Sequence, residues 1–374
     1  MKRMLFWVAV LVTAAAMALS AEEKTRDFPV KAGQSLEVDL RSGGRITVTG
    51  WDREQVQVKV DLREGSEADW GIEMAATAGG VEVRSQAREG RLHSSPSFTF
   101  QVPRRFDLKL KTMGGAIDLK DVEGRIAGKT MGGKLELVGL KGELNLETMG
   151  GGVTLRDSRV DGAVKTMGGR VLIANVTGDI KGSSLGGNVV YVNVRGKDGK
   201  SSGQVVKIST MGGEINVADA PQGADVHTMG GDIRIRSAAR FVKAKTMGGD
   251  IDLPAVDGRI DATTMGGDIE AVIVGDPGQG DKGTTLTSMG GDITLTVPEK
   301  LDMTIEIQLA FTRNGHHEFT VKSDFPVKIE TSREWDESHG TPRKTISATG
   351  RTGSGRNRIV IKTVNGNVYL KKHQ

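Results

Sequence analysis

Thr-Met-Gly-Gly recurs ten times between residues 112 and 291, with Ser replacing Thr twice and Leu replacing Met once. No other feature constrains the fold as strongly. The copies begin at Thr112, Thr130, Thr148, Thr166, Ser184, Thr210, Thr228, Thr246, Thr264 and Ser288, in steps of 18, 18, 18, 18, 26, 18, 18, 18 and 24 residues. A period near twenty is the mark of a solenoid.

Within a copy, apolar residues stand five and seven places after the Thr, as in Ile117 and Leu119, Leu135 and Leu137, or Ile251 and Leu253. That alternation describes a strand with one buried face. A second alternating run leads into each Thr, as in Leu144, Leu146 and Thr148. Thr and the following Ile thus both face inward, although they are an odd number of residues apart. A continuous strand would put them on opposite faces, so the chain turns between them.

The turn falls on the paired glycines, which make a corner repeated at the same place in each coil. They are Gly114 and Gly115, Gly132 and Gly133, Gly150 and Gly151, Gly168 and Gly169, and Gly212 and Gly213. The series continues through Gly230 and Gly231, Gly248 and Gly249, Gly266 and Gly267, and Gly290 and Gly291. A further apolar position ten after the Thr (Val122, Leu140, Val176) and a frequent Gly at twelve (Gly124, Gly142, Gly178) mark the other bends.

The expected fold is therefore all-β: a parallel β-helix, or β-solenoid, of about 18 residues per coil, with like residues stacked on like. Spacing alone does not set its hand. A left-handed hexapeptide helix needs an apolar residue every six, which these inward positions do not provide, so a right-handed coil is favoured. Leu185 replaces Met without disturbing the register. The methionines are accordingly read as packing at the corner, not as metal ligands.

Four regions follow. Residues 1–21 carry Lys2 and Arg3, an apolar run from Met4 to Leu19, and small residues near Ser20 and Ala21. This is the pattern of a secretory signal peptide. Residues 22–105 read as an N-terminal β cap of degenerate coils, 106–298 as the regular array, and 299–374 as a C-terminal β region with a closing corner at Thr363 to Val368. Two coils carry insertions, 195–204 and 275–283, both starting just after the apolar position at ten, so both are expected to leave the same edge. Loops on a rigid scaffold are frequent sites of function.

Composition narrows the function. Cysteine is absent, which excludes disulfides, thiolate metal sites and a lipidated cysteine. Once Lys2 and Arg3 are removed, 49 basic residues face 47 acidic ones, and that balance gives no electrostatic footprint for nucleic acid. After signal removal no segment is apolar enough to span a membrane, and monomer is the default state.

The residue after the glycine pair becomes acidic along the second half: Asp232, Asp250, Asp268 and Asp292, with Asp252 and Glu270 two places on. Stacked carboxylates repel one another and Ca²⁺ relieves such repulsion, making it the one candidate ion; a solvated acidic face is the simpler reading. The calcium β-roll motif needs another Gly before its Asp, and that Gly is missing. Glycoside hydrolysis requires two carboxyl groups in unlike environments, whereas a ladder supplies like ones. The adjacent His316 and His317 point to opposite faces of an extended strand, and Glu334, Asp336, Glu337 and His339 read as a polar loop. No phosphate loop or nucleophile elbow occurs. Neither a catalytic constellation nor a cofactor site emerges.

The segments "FPVKAGQSLEVDLRSGGRITVTGWDREQVQV" and "RIVIKTVNGNVYL", with the recurring Gly-Gly-x-Ile-x-Leu corners between them, resemble the bacterial DUF4097 family of adhesin-like β-strand repeat proteins, related to the head-domain adhesins. The resemblance covers essentially all of the chain beyond residue 21. It implies a right-handed β-helix at the cell envelope, with no catalytic residues to carry over. The expectation is an exported, periplasmic or extracellular, non-enzymatic scaffold or adhesin-like binding module, whose partner is an envelope protein or glycan. Calcium-stabilised structural protein and regulatory partner of an envelope-stress system are the alternatives.

Overall fold

A computed structural model describes residues 22–62, 67–86, 95–196, 205–313, 319–337 and 341–373. The expected signal peptide, most of the first insertion, His316, His317 and His339 lie outside the described residues. Thirty strands and no helix form the described fold, and all belong to one hydrogen-bonded sheet system.

Alternation of side chains sets each strand. In Ser35–Leu40, Leu36, Val38 and Leu40 are buried while the residues between them are partly open. The same pattern in Ile117–Lys120, Leu135–Val138 and Ile293–Pro298 sends one aliphatic stripe into a continuous core. Each level of the array contributes one strand ending at the Thr and one beginning after the glycine pair. Both pair in parallel with their counterparts a level away: Thr130 faces Thr112 on one side and Thr148 on the other, and Leu135 faces Ile117 and Val153. After the corner the inserted coils keep this register, with Val189 opposite Ile215 and Ile269 opposite Ile293; the disturbance is local, a ladder reduced to Ser183 opposite Ser209 at the first insertion and a register shift between Leu253 and Val256 at the second.

Why the corner is built from Thr and Gly follows from what stacking in register demands. Successive levels lie about 4.8 Å apart, so backbone passes over backbone. A Cβ placed on the second glycine of any corner would come within 1.8–2.2 Å of the carbonyl oxygen of the equivalent glycine one level earlier. Only hydrogen fits. None of these glycines has a left-handed φ, so clearance is the reason for glycine here, not unusual torsion. The buried Thr hydroxyl then ties levels together. Thr148 Oγ1 donates to Gly133 O at 2.7 Å and accepts from its own Gly151 N–H at 3.3 Å, and Thr166, Thr228, Thr246 and Thr264 repeat the motif.

The methionines differ from the expectation of corner packing. Met113, Met131, Met167, Met211, Met229, Met247, Met265 and Met289 are 40–53% exposed, and Leu185 in the same row is 46% exposed. One residue beyond an inward Thr, alternation points the side chain out.

Chain order and stack order part company at both ends. Ser35–Leu40 and Arg45–Trp51 lie between two later segments, pairing with Gly80–Ser85 and Ser97–Pro103 on one side and with Asp107–Thr112 and Ile117–Lys120 on the other. Likewise Asn357–Val364 and Val368–His373 slot between the level of Thr284–Thr287 and Ile293–Pro298 and that of Met303–Thr312 and Val321–Ser323. The closing corner at Thr363 is thus one level inside, with Thr363 Oγ1 donating to Gly291 O at 2.7 Å. Beyond these inserted levels the pairing turns antiparallel: Gln55–Leu62 on Ser97–Pro103, and Arg343–Thr352 on Met303–Thr312. Antiparallel strands thus cap the parallel ladder at both ends.

Candidate binding surfaces

The acidic positions form a ladder whose oxygens are engaged by the next level. Asp250 N–H donates to Asp232 Oδ1 at 2.9 Å, Asp268 N–H to Asp250 Oδ1 at 2.7 Å, and Asp292 N–H to Asp268 Oδ1 at 2.7 Å. Asp292 Oδ1 in turn accepts from Asn367 N–H at 2.6 Å. Each short carboxylate is thereby an acceptor for a backbone donor at a corner where the ladder is interrupted, which offsets the repulsion between stacked charges. Asp252 pairs with Arg234 at 3.2 Å and stands beside Glu270 in the register. Among the described residues no group of three or more His, Cys, Asp or Glu is arranged to hold a metal ion.

The second insertion is not a free loop. Lys282 folds inward until its side chain is 2% exposed, where its ammonium pairs with Asp257 and donates to Val274 O at 3.2 Å. Its backbone N–H donates to Asn357 Oδ1, and Arg356 donates to Gly278 O and Gly280 O, tying the loop to the inserted C-terminal level. Sequence spacing gave no signal for this burial, because a Lys in a Gly- and Asp-rich run reads as solvated.

Between the two insertion sites, on the edge they share, lies an open cleft of about 900 Å³. Its floor is small and apolar, with Ala238, Ala239, Ala255 and Val274, and Pro221 at one side; Arg195, Asp219 and Asp257 border it. The small side chains arise where the strands Ile233–Lys245 and Ile251–Thr263 run on through a bend, and Ala238 faces Val256 in the register. A further polar hollow near the N-terminal end is lined by Glu37, Asp39, Arg41, Glu73, Glu82 and Arg84, four acids and two bases.

Comparison with curated proteins gives no match. Among solved structures, a protein of Clostridium sporogenes provisionally described as a cell adhesion protein shares 8% identity over 95% of this chain and 100% of its own, with a TM-score of 0.19. A provisional adhesin of Bacteroides fragilis shares 12% over 94% and 98%, with a TM-score of 0.20. A provisional lipid-binding protein of Parabacteroides distasonis shares 9% over 95% and 98%, with a TM-score of 0.21. Such identities are too low to transfer a ligand. The Toastrack DUF4097 family model, in contrast, matches residues 15–371, nearly the whole length, and the chain belongs to that family.

Proposed function

We propose that this protein is an exported, non-enzymatic module of the cell envelope, a right-handed solenoid of about 18-residue coils that holds an adhesin-like binding cleft in fixed geometry. The observation that supports this reading is the cleft between the insertion sites, where an apolar floor of alanines is bordered by Arg195, Asp219 and Asp257. A shallow apolar floor with a few polar groups at its rim suits an extended ligand such as a glycan or a protein segment. The uniform Asp ladder, with its oxygens already accepting backbone donors, suits a structural role better than acid–base work. No cofactor enters this reading.

The test is capture from envelope extract and binding to isolated envelope glycans, comparing the unaltered protein with Ala239→Arg and Ala255→Arg, both half-buried in the cleft floor. Loss of the captured ligand with an unchanged melting temperature supports the cleft. Retained binding in both variants removes it, and turnover of a glycan abolished by Asp250→Asn would replace the binding module with an enzyme.

A further inference from the structure

The exposed corner row is apolar along its whole length. Of the eleven large apolar side chains left open among the described residues, nine stand in it: eight Met and Leu185. Its ten levels span about 43 Å at the spacing of paired strands. Soluble chains seldom leave a contiguous apolar strip of this extent uncovered.

The glycine beside each Met sharpens the point. Unlike its neighbour, the first glycine of each pair has room: a Cβ there meets nothing nearer than 3.4 Å, and at Gly114 nothing within 4 Å. Its φ is not left-handed either. The coil does not require Gly at this position, yet all ten copies have it. A bare floor next to a methionine ridge lets another surface come close.

Charge on the two flanks selects the occupant. After the glycine pair, the flank is basic in early levels, with Lys134 and Arg170, and acidic in late ones, with Asp232 and Asp268. Before the Thr, Glu147 is early and Lys245 late. Two copies meeting face to face with their axes antiparallel place each level against the one equally far from the opposite end. Lys134 then opposes Asp268, Arg170 opposes Asp232, and Glu147 opposes Lys245. The remaining levels bring no two acids together, and their one basic encounter is Lys165 with His227. A parallel arrangement, by contrast, lays one flank over the other at the same level, forcing Lys129 onto Lys134 and Lys165 onto Arg170. Like-charge juxtaposition at an interface is strongly unfavourable.

We infer that the methionine row is a self-association surface on which two copies of this chain pair antiparallel about a two-fold axis lying between the Ser184 and Thr210 levels. Met167 meets Met229 and Leu185 meets Met211 across it, which replaces the expected monomer with a dimer. With roughly half of each side chain open at every level but that of Met149, the row, its glycine floor and the flanks offer on the order of 800 Å² per copy, the area of a stable specific interface. Flexible thioethers suit a surface that must mesh with its own image. This pairing stands apart from the cleft, which lies on another edge.

The test is sedimentation-equilibrium mass and cross-linking on residues 22–374, which contain no native cysteine. The unaltered protein is expected to be dimeric, and Met167→Glu with Met229→Glu to make it monomeric while its β-sheet circular dichroism stays unchanged. Lys134→Glu is expected to weaken the dimer, and adding Asp268→Lys to restore it. Met131→Cys together with Met265→Cys is expected to give covalent dimers, because the two positions are about 34 Å apart within one chain. Met131→Cys alone is expected to give none. A monomer at high micromolar concentration, or efficient cross-linking by Met131→Cys alone, would overturn the inference. So would a monomer that binds phosphatidylethanolamine–phosphatidylglycerol vesicles through the row, which would assign the row to a bilayer.

Discussion

Thr130 Oγ1 lies 2.8 Å from the carbonyl oxygen of Gly115, one level earlier in the stack, and takes a 3.4 Å contact from the N–H of its own Gly133. One buried hydroxyl thus satisfies a donor and an acceptor at a bend where the strand ladder is interrupted. Thr130→Val keeps the shape and removes both partners. Leaving buried backbone groups unpaired costs about 1–3 kcal/mol. Thr130→Ser should cost far less, since Ser184 and Ser288 make the same bonds naturally. Urea unfolding of the two variants checks the difference; a larger loss in Thr130→Ser than in Thr130→Val would mean that methyl packing, not the hydroxyl, matters.

The two glycines of one corner should respond unequally to the same substitution. At Gly133 a Cβ would sit 2.0 Å from Gly115 O, and neither backbone can retreat without opening the ladder; at Gly132 the nearest atom is 3.6 Å away. Gly133→Ala is expected to destabilise at or above the upper end of the about 1–3 kcal/mol typical of overpacking. Gly132→Ala is expected to leave folding stability nearly unchanged. Thermal unfolding compares them directly.

Much of this was legible from spacing. Inward Thr and Ile separated by an odd count forced a bend, and the bends stand at 113–115 and its repeats. The outward Met is equally implied by alternation one residue past the Thr, but its apolar character argues the other way, for packing. Three features were hidden for physical reasons. Periodicity gives the face of a residue and not its hydrogen-bond partner, so the Thr–Gly bridge could not be read. It also says nothing of which coil neighbours which, because each coil presents the same ladder of donors and acceptors; the inward placement of Arg45–Trp51 and Asn357–Val364 left no trace. The burial of Lys282 depends on Asp257, 25 residues earlier, reaching the same spot.

That Lys282 pair is unequal. The ammonium is 2% exposed and the Asp257 carboxylate 54%, so water can solvate the acid alone but not the base alone. Asp257→Ala should therefore destabilise by about 3–5 kcal/mol, the usual consequence of stranding a buried charge. Lys282→Met, which fills the same space without charge, should be close to neutral. Chemical denaturation of both variants and the double variant settles the asymmetry; equal losses would contradict it.

The inserted C-terminal level should show a weak acid dependence of its own. Arg358 donates to both oxygens of Glu306, at 3.1 and 2.6 Å, bridging Asn357–Val364 to Met303–Thr312. The guanidinium holds the Glu306 carboxyl below its ordinary value, first by hydrogen bonding. A folded-state value below the unfolded one means that the contribution is fully present above the unfolded pKa of about 4.3 and is lost as pH falls through the lower folded value. Both side chains are well exposed, so screening keeps the effect small. The melting temperature of Glu306→Gln should match that of the unaltered protein near pH 3 and fall slightly below it at pH 6. A gap that instead widens toward pH 3 would reverse the sign and show that the pair opposes folding.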